Sequence, residues 1–475
     1  MSRCLALLAL VGCGHAAAVT PVVQPPAPDP TGPHADAIAA QVQPYLDAEI
    51  VNSVVVGVVD GDRTEIYGFG GADGRTIFEL GSLTQIFTSL LLVDSVARKE
   101  VEYDTPVSQM MPLGVTVPTA EDQKITLEML ATHRSGLPSM PRSLALRQFD
   151  ADPYAGYNAD RLYEDLVTGR LEAVPGTIVN YSAWGVGLLG FSLARNVRTT
   201  YAEMVVDRIA KPLGLADTRT DVPAQDEQRF APGHNEDLVA VSAWHLDALM
   251  GAAGLHSTAR DMVALLRAEI DAAHGGKGPL ADRLRASQEI RIAADPRSLG
   301  LGWWIEKDGR LWHNGASGGY HGFVVFDPAK RFGVVVLAST STSLVDRLGG
   351  ALMQVLDGKA PPPIAFPDPA QFAALTGRYR VGDAEANVEV RGKRVYLTQQ
   401  GQAPTRLLPL SATEFFIEEI QAPMAFDVEP GEAHARGLVL FMGGKRLEGA
   451  RVGDLPTPAT APTGTAPAPA PTTHP

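Results

Sequence analysis

Cysteine is almost missing from this chain. Only two of its 475 residues are Cys, and both, Cys4 and Cys13, sit at the N-terminal end. The body of the chain therefore has no disulfide framework and no thiolate site for zinc. Positive charge is also scarce: 40 Lys and Arg stand against 54 Asp and Glu, a formal net charge of -14, with no basic run. That argues against nucleic acid or an anionic membrane surface as the main partner. No stretch approaches the roughly 20 apolar residues that a membrane-spanning helix needs. The eleven histidines are scattered, with no H-E-x-x-H pair, so neither a metal nor another cofactor is expected. No internal repeat is visible. What remains is ordinary globular composition, 45% hydrophobic and 20% charged. The length is too great for one core, so two domains with tails are expected.

Residues 1–18 read as an export signal, with Arg3 as a minimal positive region and Leu5 to Val11 as a short apolar core. Leu10-Val11-Gly12-Cys13 resembles a bacterial lipobox, which implies a lipid on Cys13; cleavage after Ala16-Ala17-Ala18 is the competing reading. Either way the protein is expected in the bacterial cell envelope, as a lipoprotein or in the periplasm. Residues 19–34 are rich in Pro and Ala and read as an extended tether. Residues 454–475 read as a disordered Pro/Ala/Thr tail.

Between these ends the pattern divides at a linker, 358–369, which holds five prolines. The first domain, 35–357, opens with a helix and a hairpin, Val54 to Val59 and Glu65 to Phe69 around Asp60-Gly61-Asp62. Its middle is helical: Ser82 to Lys99, Thr126 to Thr132, Ala159 to Thr168, Ala183 to Asn196, Tyr201 to Lys211 and Thr258 to Ala273. It closes with strands Arg310 to His313, Gly322 to Phe326 and Gly333 to Ala338, then a helix Leu344 to Leu356. Strands at both ends of a helical insert imply one sheet with helices packed on it, a mixed α+β domain whose sheet is expected to be antiparallel. Trp303, Trp304 and Trp312 are expected to pack that sheet. The region 370–453 carries short strands, Val388 to Val390, Val395 to Leu397, Glu414 to Ile417 and Leu438 to Met442, and reads as a small antiparallel β-barrel-like domain.

One segment points to chemistry. In Phe78-Glu79-Leu80-Gly81-Ser82-Leu83-Thr84-Gln85 a glycine-led turn delivers a serine to the start of an apolar helix. There the hydroxyl faces unpaired backbone N–H groups and the positive end of the helix dipole, which favour an alkoxide or oxyanion. A residue three positions on lies on the same helix face, where S-x-x-K sites hold their lysine. Here that position is Gln85, whose amide cannot take a proton. A plain N-cap is the bland alternative for Ser82.

Four segments in order resemble the serine β-lactamase-like, penicillin-binding protein family of class C β-lactamases, DD-peptidases and esterases. They are the Ser82 segment, Thr132-His133-Arg134-Ser135-Gly136-Leu137-Pro138, Tyr181-Ser182-Ala183, and His313-Asn314-Gly315 followed by Gly318-Gly319. The resemblance covers about 300 residues, and the C-terminal region resembles the lipocalin-like domain that often follows such hydrolases. It implies Ser82 as nucleophile, Tyr181 as general base or proton relay, and the backbone N–H groups of Ser82 and Ala316 as an oxyanion hole. It places His313, Asn314, Gly315 and Ala183 on the substrate. His313 would hold a substrate carboxylate when protonated, and Gly315 would let substrate approach the strand closely. His133 is expected to brace its loop.

Two departures stand out: the family's lysine is Gln85, and its Y-x-N asparagine is Ala183. Loss of a general base costs about 10²–10⁴-fold, and Tyr181 without a neighbouring cation should keep a pKa near 10. Three functions stay open. One is a weak or specialised hydrolase of small-molecule esters, amides or D-amino-acid peptides through an acyl-serine. Another is an inactive relative that binds a cell-wall peptide or a protein partner in the same groove. The third is a structural envelope lipoprotein. Substrate and oligomeric state are not legible.

Overall fold

The computed structural model describes residues 29–147, 150–361, 368–417, 420, 422–429 and 431–455. The export signal with Cys13, most of the tether, half of the linker and nearly all of the tail lie outside the described residues.

The central sheet has seven strands in the order β2-β1-β9-β8-β7-β6-β5. These are β1 Val54–Asp60, β2 Arg63–Phe69, β5 Ser298–Leu299, β6 Trp304–Ile305, β7 Leu311–Ala316, β8 His321–Asp327 and β9 Phe332–Ala338. A separate pair, β3 Ile77–Glu79 and β4 His256–Thr258, leads into the Ser82 segment. Every strand pairing is antiparallel, as expected for this α+β domain. Its central strands are β-branched and buried along their length, because helices cover both faces. The two-residue period sorts them: Val55, Val59, Val335 and Leu337 pack under the helical insert. Val54, Val56, Val58, Val334 and Val336 pack against the Ala35–Asp47 and Leu344–Leu356 helices.

Residues 29–34 do not extend freely, as a tether would. Asp29 accepts from the Gly74 amide and pairs with Arg260, Ile66 donates its amide to the Pro30 carbonyl, and His34 Nδ1 lies 3.0 Å from Glu65. These contacts fasten the start of the chain to β2.

The C-terminal region is a closed antiparallel barrel, β10 Gly377–Val381, β11 Ala384–Arg391, β12 Arg394–Gln399, β13 Thr405–Pro409, β14 Glu414–Ile417, β15 Ala422–Asp427, β16 Gly437–Met442 and β17 Lys445–Gly453. Each strand pairs with the next, and β17 returns to β10. Phe415, Phe426 and Tyr379 fill its interior, together with Phe372 from the helical turn Pro369–Leu375. An eight-stranded barrel is just wide enough for side chains to fill it in this way.

Candidate active site

Ser82 lies in a 3₁₀ turn, Gly81–Leu83, that runs straight into the helix Thr84–Ala97. It does not cap that helix; its Oγ lies 2.7 Å from the hydroxyl of Tyr181. Gly81 turns the chain with a φ of +52°, and a Cβ there would lie 2.4 Å from the Ala316 carbonyl oxygen and 2.8 Å from its nitrogen. In the reverse direction, a Cβ on Gly315 would lie 2.4 Å from the Leu80 oxygen and the Leu83 nitrogen and 2.8 Å from the Ser82 nitrogen. The Ser82 turn and the end of β7 thus meet backbone against backbone. This corrects the expectation for Gly315: what approaches its Cα is the chain's own Leu80–Leu83 segment.

Tyr181 is delivered just before the helix Ala183–Asn196, whose N-cap Ser182 accepts from the Gly185 amide and donates to the Pro138 carbonyl. His133, at a φ of +55°, braces the approach. Its carbonyl accepts from the Asn180 amide, its Nδ1 accepts from the Ser182 amide at 3.3 Å, and its ring packs at a tilt against that of Tyr181, with centroids 4.7 Å apart. Burial holds the His133 pKa down to about 3, so the ring is neutral and free to accept.

Gln85 is 1% exposed. Its Nε2 donates to the Tyr181 hydroxyl at 2.7 Å and to the Ala252 carbonyl at 3.4 Å, while its Oε1 is buried without a partner. A carbonyl can only accept, so Ala252 fixes which end of the amide faces the phenol. The phenol oxygen receives from Gln85, and in its contact with Ser82 either hydroxyl can be the donor. Burial pushes the Tyr181 pKa above 10, and the hydrogen bonds from Ser82 and Gln85 only partly offset this. The expectation of an undisturbed phenol is corrected accordingly.

The other sequence candidates divide by strand face. His313 is buried on the site side, with Nδ1 2.6 Å from its neighbour's carbonyl, and burial lowers its pKa to about 4. It is a neutral ring at pH 7 and brings no positive charge to a substrate carboxylate there. Asn314 points to the opposite face, where its Nδ2 donates to Asp346 of the Leu344–Leu356 helix at 2.7 Å. Its placement on substrate is thereby corrected. Ala183, the first residue of its helix, offers only a methyl group beside Tyr181. Among the described residues no cluster of His, Cys, Asp or Glu could hold a metal ion, and no helix is long and apolar enough to cross a membrane.

The family model for Beta-lactamase matches residues 38–356. The chain belongs to that family. Among curated proteins it is similar to the D-alanyl-D-alanine-carboxypeptidase/endopeptidase AmpH of Escherichia coli (strain K12), at 28% identity over 337 residues, 63% of this chain and 83% of AmpH. It is also similar to a Beta-lactamase of Escherichia coli (strain K12), at 24% identity over 353 residues, 64% of this chain and 88% of that protein. Among solved structures, a class C β-lactamase from Rhodobacter sphaeroides matches with a TM-score of 0.58 at 24% identity, over 68% of this chain and 99% of the other. The matched span ends before the barrel begins.

This Beta-lactamase-family chain also has a wall beside the site that sequence reasoning missed. Glu79, buried and with its pKa raised by that burial, accepts from the Trp244 amide at 2.9 Å. The Trp244 indole packs at a tilt against Tyr154, with centroids 5.1 Å apart, and lies over Gly318, where a Cβ would come within 2.7 Å of its Nε1. The signal available was the Gly318-Gly319 pair, where side chains are absent because neighbouring groups occupy their space. By contrast Trp303 meets Phe326 edge to face in the core, and Trp304 and Trp312 stack on each other along the sheet.

Proposed function

We propose that this protein is a slow serine hydrolase that acts on ester, amide or D-amino-acid peptide bonds through an acyl-Ser82 intermediate. The observation that carries the reading is the 2.7 Å contact between Ser82 Oγ and the Tyr181 hydroxyl, beside the adjoining Ser82 and Ala316 backbones. As Ser82 adds to the substrate carbonyl carbon, its proton passes to the phenol oxygen, and the phenol's own proton goes to the leaving oxygen or nitrogen. The leaving group departs neutral, the acyl-Ser82 ester forms, and the phenol is restored. Water then repeats the relay and releases the acid. Such a two-way relay needs no free tyrosinate, which suits a phenol with a raised pKa. The Ser82 and Ala316 amides would receive the oxyanion, worth about 10²–10³-fold per donor. The name carried by AmpH favours peptides ending in D-alanyl-D-alanine within this class.

A second reading is a binding protein without turnover. Gln85 favours it, because a neutral amide that cannot take a proton stands where the family's lysine is expected and donates to the Tyr181 hydroxyl. A fluorophosphonate probe with intact-mass detection separates the two. Labelling of wild type that is lost in Ser82→Ala supports the hydrolase; no labelling over hours rejects it in favour of binding. Under the hydrolase reading, Gln85→Lys with Ala183→Asn should accelerate labelling by about 10²-fold or more.

A further inference from the structure

The barrel touches the first domain at a loop that leads to the site. Tyr396 Oη on β12 donates to Asp237 Oδ1 at 2.6 Å, and Arg394 Nη1 donates to the Asp237 carbonyl. Beside them Arg406, 1% exposed, donates to the Glu49 carbonyl at 3.1 Å, and Lys393 Nζ donates to the Asp47 carbonyl at 2.8 Å. Buried side chains in fixed geometry make this a built junction rather than a chance brush of two surfaces.

Asp237 stands at the tip of a tight loop. Asn235 Oδ1 accepts from the amides of Asp237 and Val239, and the Asn235 amide donates to the Val239 carbonyl. The base of the loop is fastened to the turn between β7 and β8 and to the residue that follows β9. His234 donates its amide to Gly319 and Ser339, Val241 donates to Gly233, and a Cβ on Gly319 would fall 2.7 Å from the Gly233 Cα and 2.8 Å from Val241 Cγ2. Three residues past Val241, Trp244 covers Gly318 and is anchored on Glu79. Contacts therefore run without a gap from the barrel, through Asp237 and the loop, to the wall beside Ala316 and Ser82.

We propose that the barrel sets substrate selection: Tyr396 and Arg394 hold Asp237, and through it fix the 233–244 loop whose Trp244 forms one wall of the Ser82 site. Tyr396 and Asp237 are positioning residues, for they do not reach the reacting atoms. The selected substrates are those large enough to meet that wall, such as a peptide on the acyl side of the scissile bond; small acyl or phosphonyl groups pass it untouched. The proposal rests on Ser82 being the reactive group only for its kinetic part.

The experiment has two arms in the full-length protein. Hydrogen exchange of the 233–244 amides is followed in wild type, Tyr396→Phe, Asp237→Ala and Asp237→Asn. Faster exchange of about fivefold is expected in Tyr396→Phe and Asp237→Ala, with partial recovery in Asp237→Asn, which keeps the acceptor for the Tyr396 hydroxyl. Labelling rates are then measured with a small fluorophosphonate and with a bulky fluorescent penicillin. The ratio of the two is expected to shift about fivefold in Tyr396→Phe and Asp237→Ala while the small-probe rate holds within about twofold. Unchanged loop exchange in both variants overturns the proposal, as does faster exchange with an unchanged labelling ratio. If wild type takes neither probe, the hydrolase reading fails, and the exchange arm alone still decides whether the barrel holds the loop.

Discussion

The surroundings of Ser82 and the interior of the barrel are built on opposite plans. Around Ser82, backbone meets backbone through Gly81 and Gly315, and polar side chains such as Gln85, His133 and His313 are buried. Inside the barrel, ring meets ring: Phe372, Phe415, Phe426 and Tyr379 interlock with centroids 5.4–5.6 Å apart. A packed apolar interior can adjust when a side chain changes, at a cost in stability. A backbone contact without side chains has no such slack, and its loss falls on geometry. Buried polar groups with a partner missing, such as Gln85 Oε1, lie where function is expected to ask for them.

That contrast can be broken at three points. The largest effect is expected for Gly315→Ala, whose methyl would sit 2.4 Å from backbone on two sides. Displacement of the Ser82 turn by a fraction of an ångström should lower fluorophosphonate labelling by about 10²-fold. Near-normal labelling would mean the two backbones can part freely, and the contrast would fail. Next comes Phe415→Ala in the barrel, where the ring is wholly buried. It should remove about 3–5 kcal/mol from barrel stability in denaturant melts and leave small-probe labelling within about twofold. A large loss of small-probe labelling would show that the two plans are not separable.

The smallest effect concerns Glu269, buried under the central sheet, where Gln288 Nε2 donates to its Oε2 at 2.5 Å. Burial raises its pKa from the ordinary 4.5 to about 8. The folded state therefore keeps its proton while the unfolded chain loses it, so this group's contribution to stability is whole below about pH 4.5. It declines as pH rises toward about 8 and is level beyond. Glu269→Gln, which keeps the acceptor, should flatten that decline in melts taken across the window. An unchanged slope would place the titration elsewhere.

Much of the first domain was legible because its signals are local. The helices Ala159–Thr168, Ala183–Asn196 and Leu344–Leu356 begin and end where the sequence places them, and Ser82, Gln85 and Tyr181 come together as spacing and resemblance implied. Asn314 could be placed wrongly because the third box names residues, whereas strand alternation assigns faces. The expected helix Tyr201 to Lys211 contains a π turn at Val206–Ala210, a hydrogen-bond shift with no side-chain signature. The pair β3–β4 joins residues nearly 180 positions apart and shows no pattern of its own. In the barrel, Val388 to Val390 and Val395 to Leu397 revealed their hairpin, since Gly392-Lys393 is a two-residue turn. Strands such as β17, whose charged, small and apolar residues follow no two-residue alternation, did not declare themselves. Nor did Asp237, an exposed-looking acid in a loop whose partners lie about 160 positions away.

The depth at which Gln85 sits has one more consequence. An ammonium placed there would be stripped of its hydration, with a phenol and a carbonyl as its nearest company. Its hold on its proton would slacken by several powers of ten relative to open water. A lysine restored to this spot would thus arrive already inclined to be a free amine at neutral pH, so the cavity has kept the setting for a base that the chain itself no longer supplies.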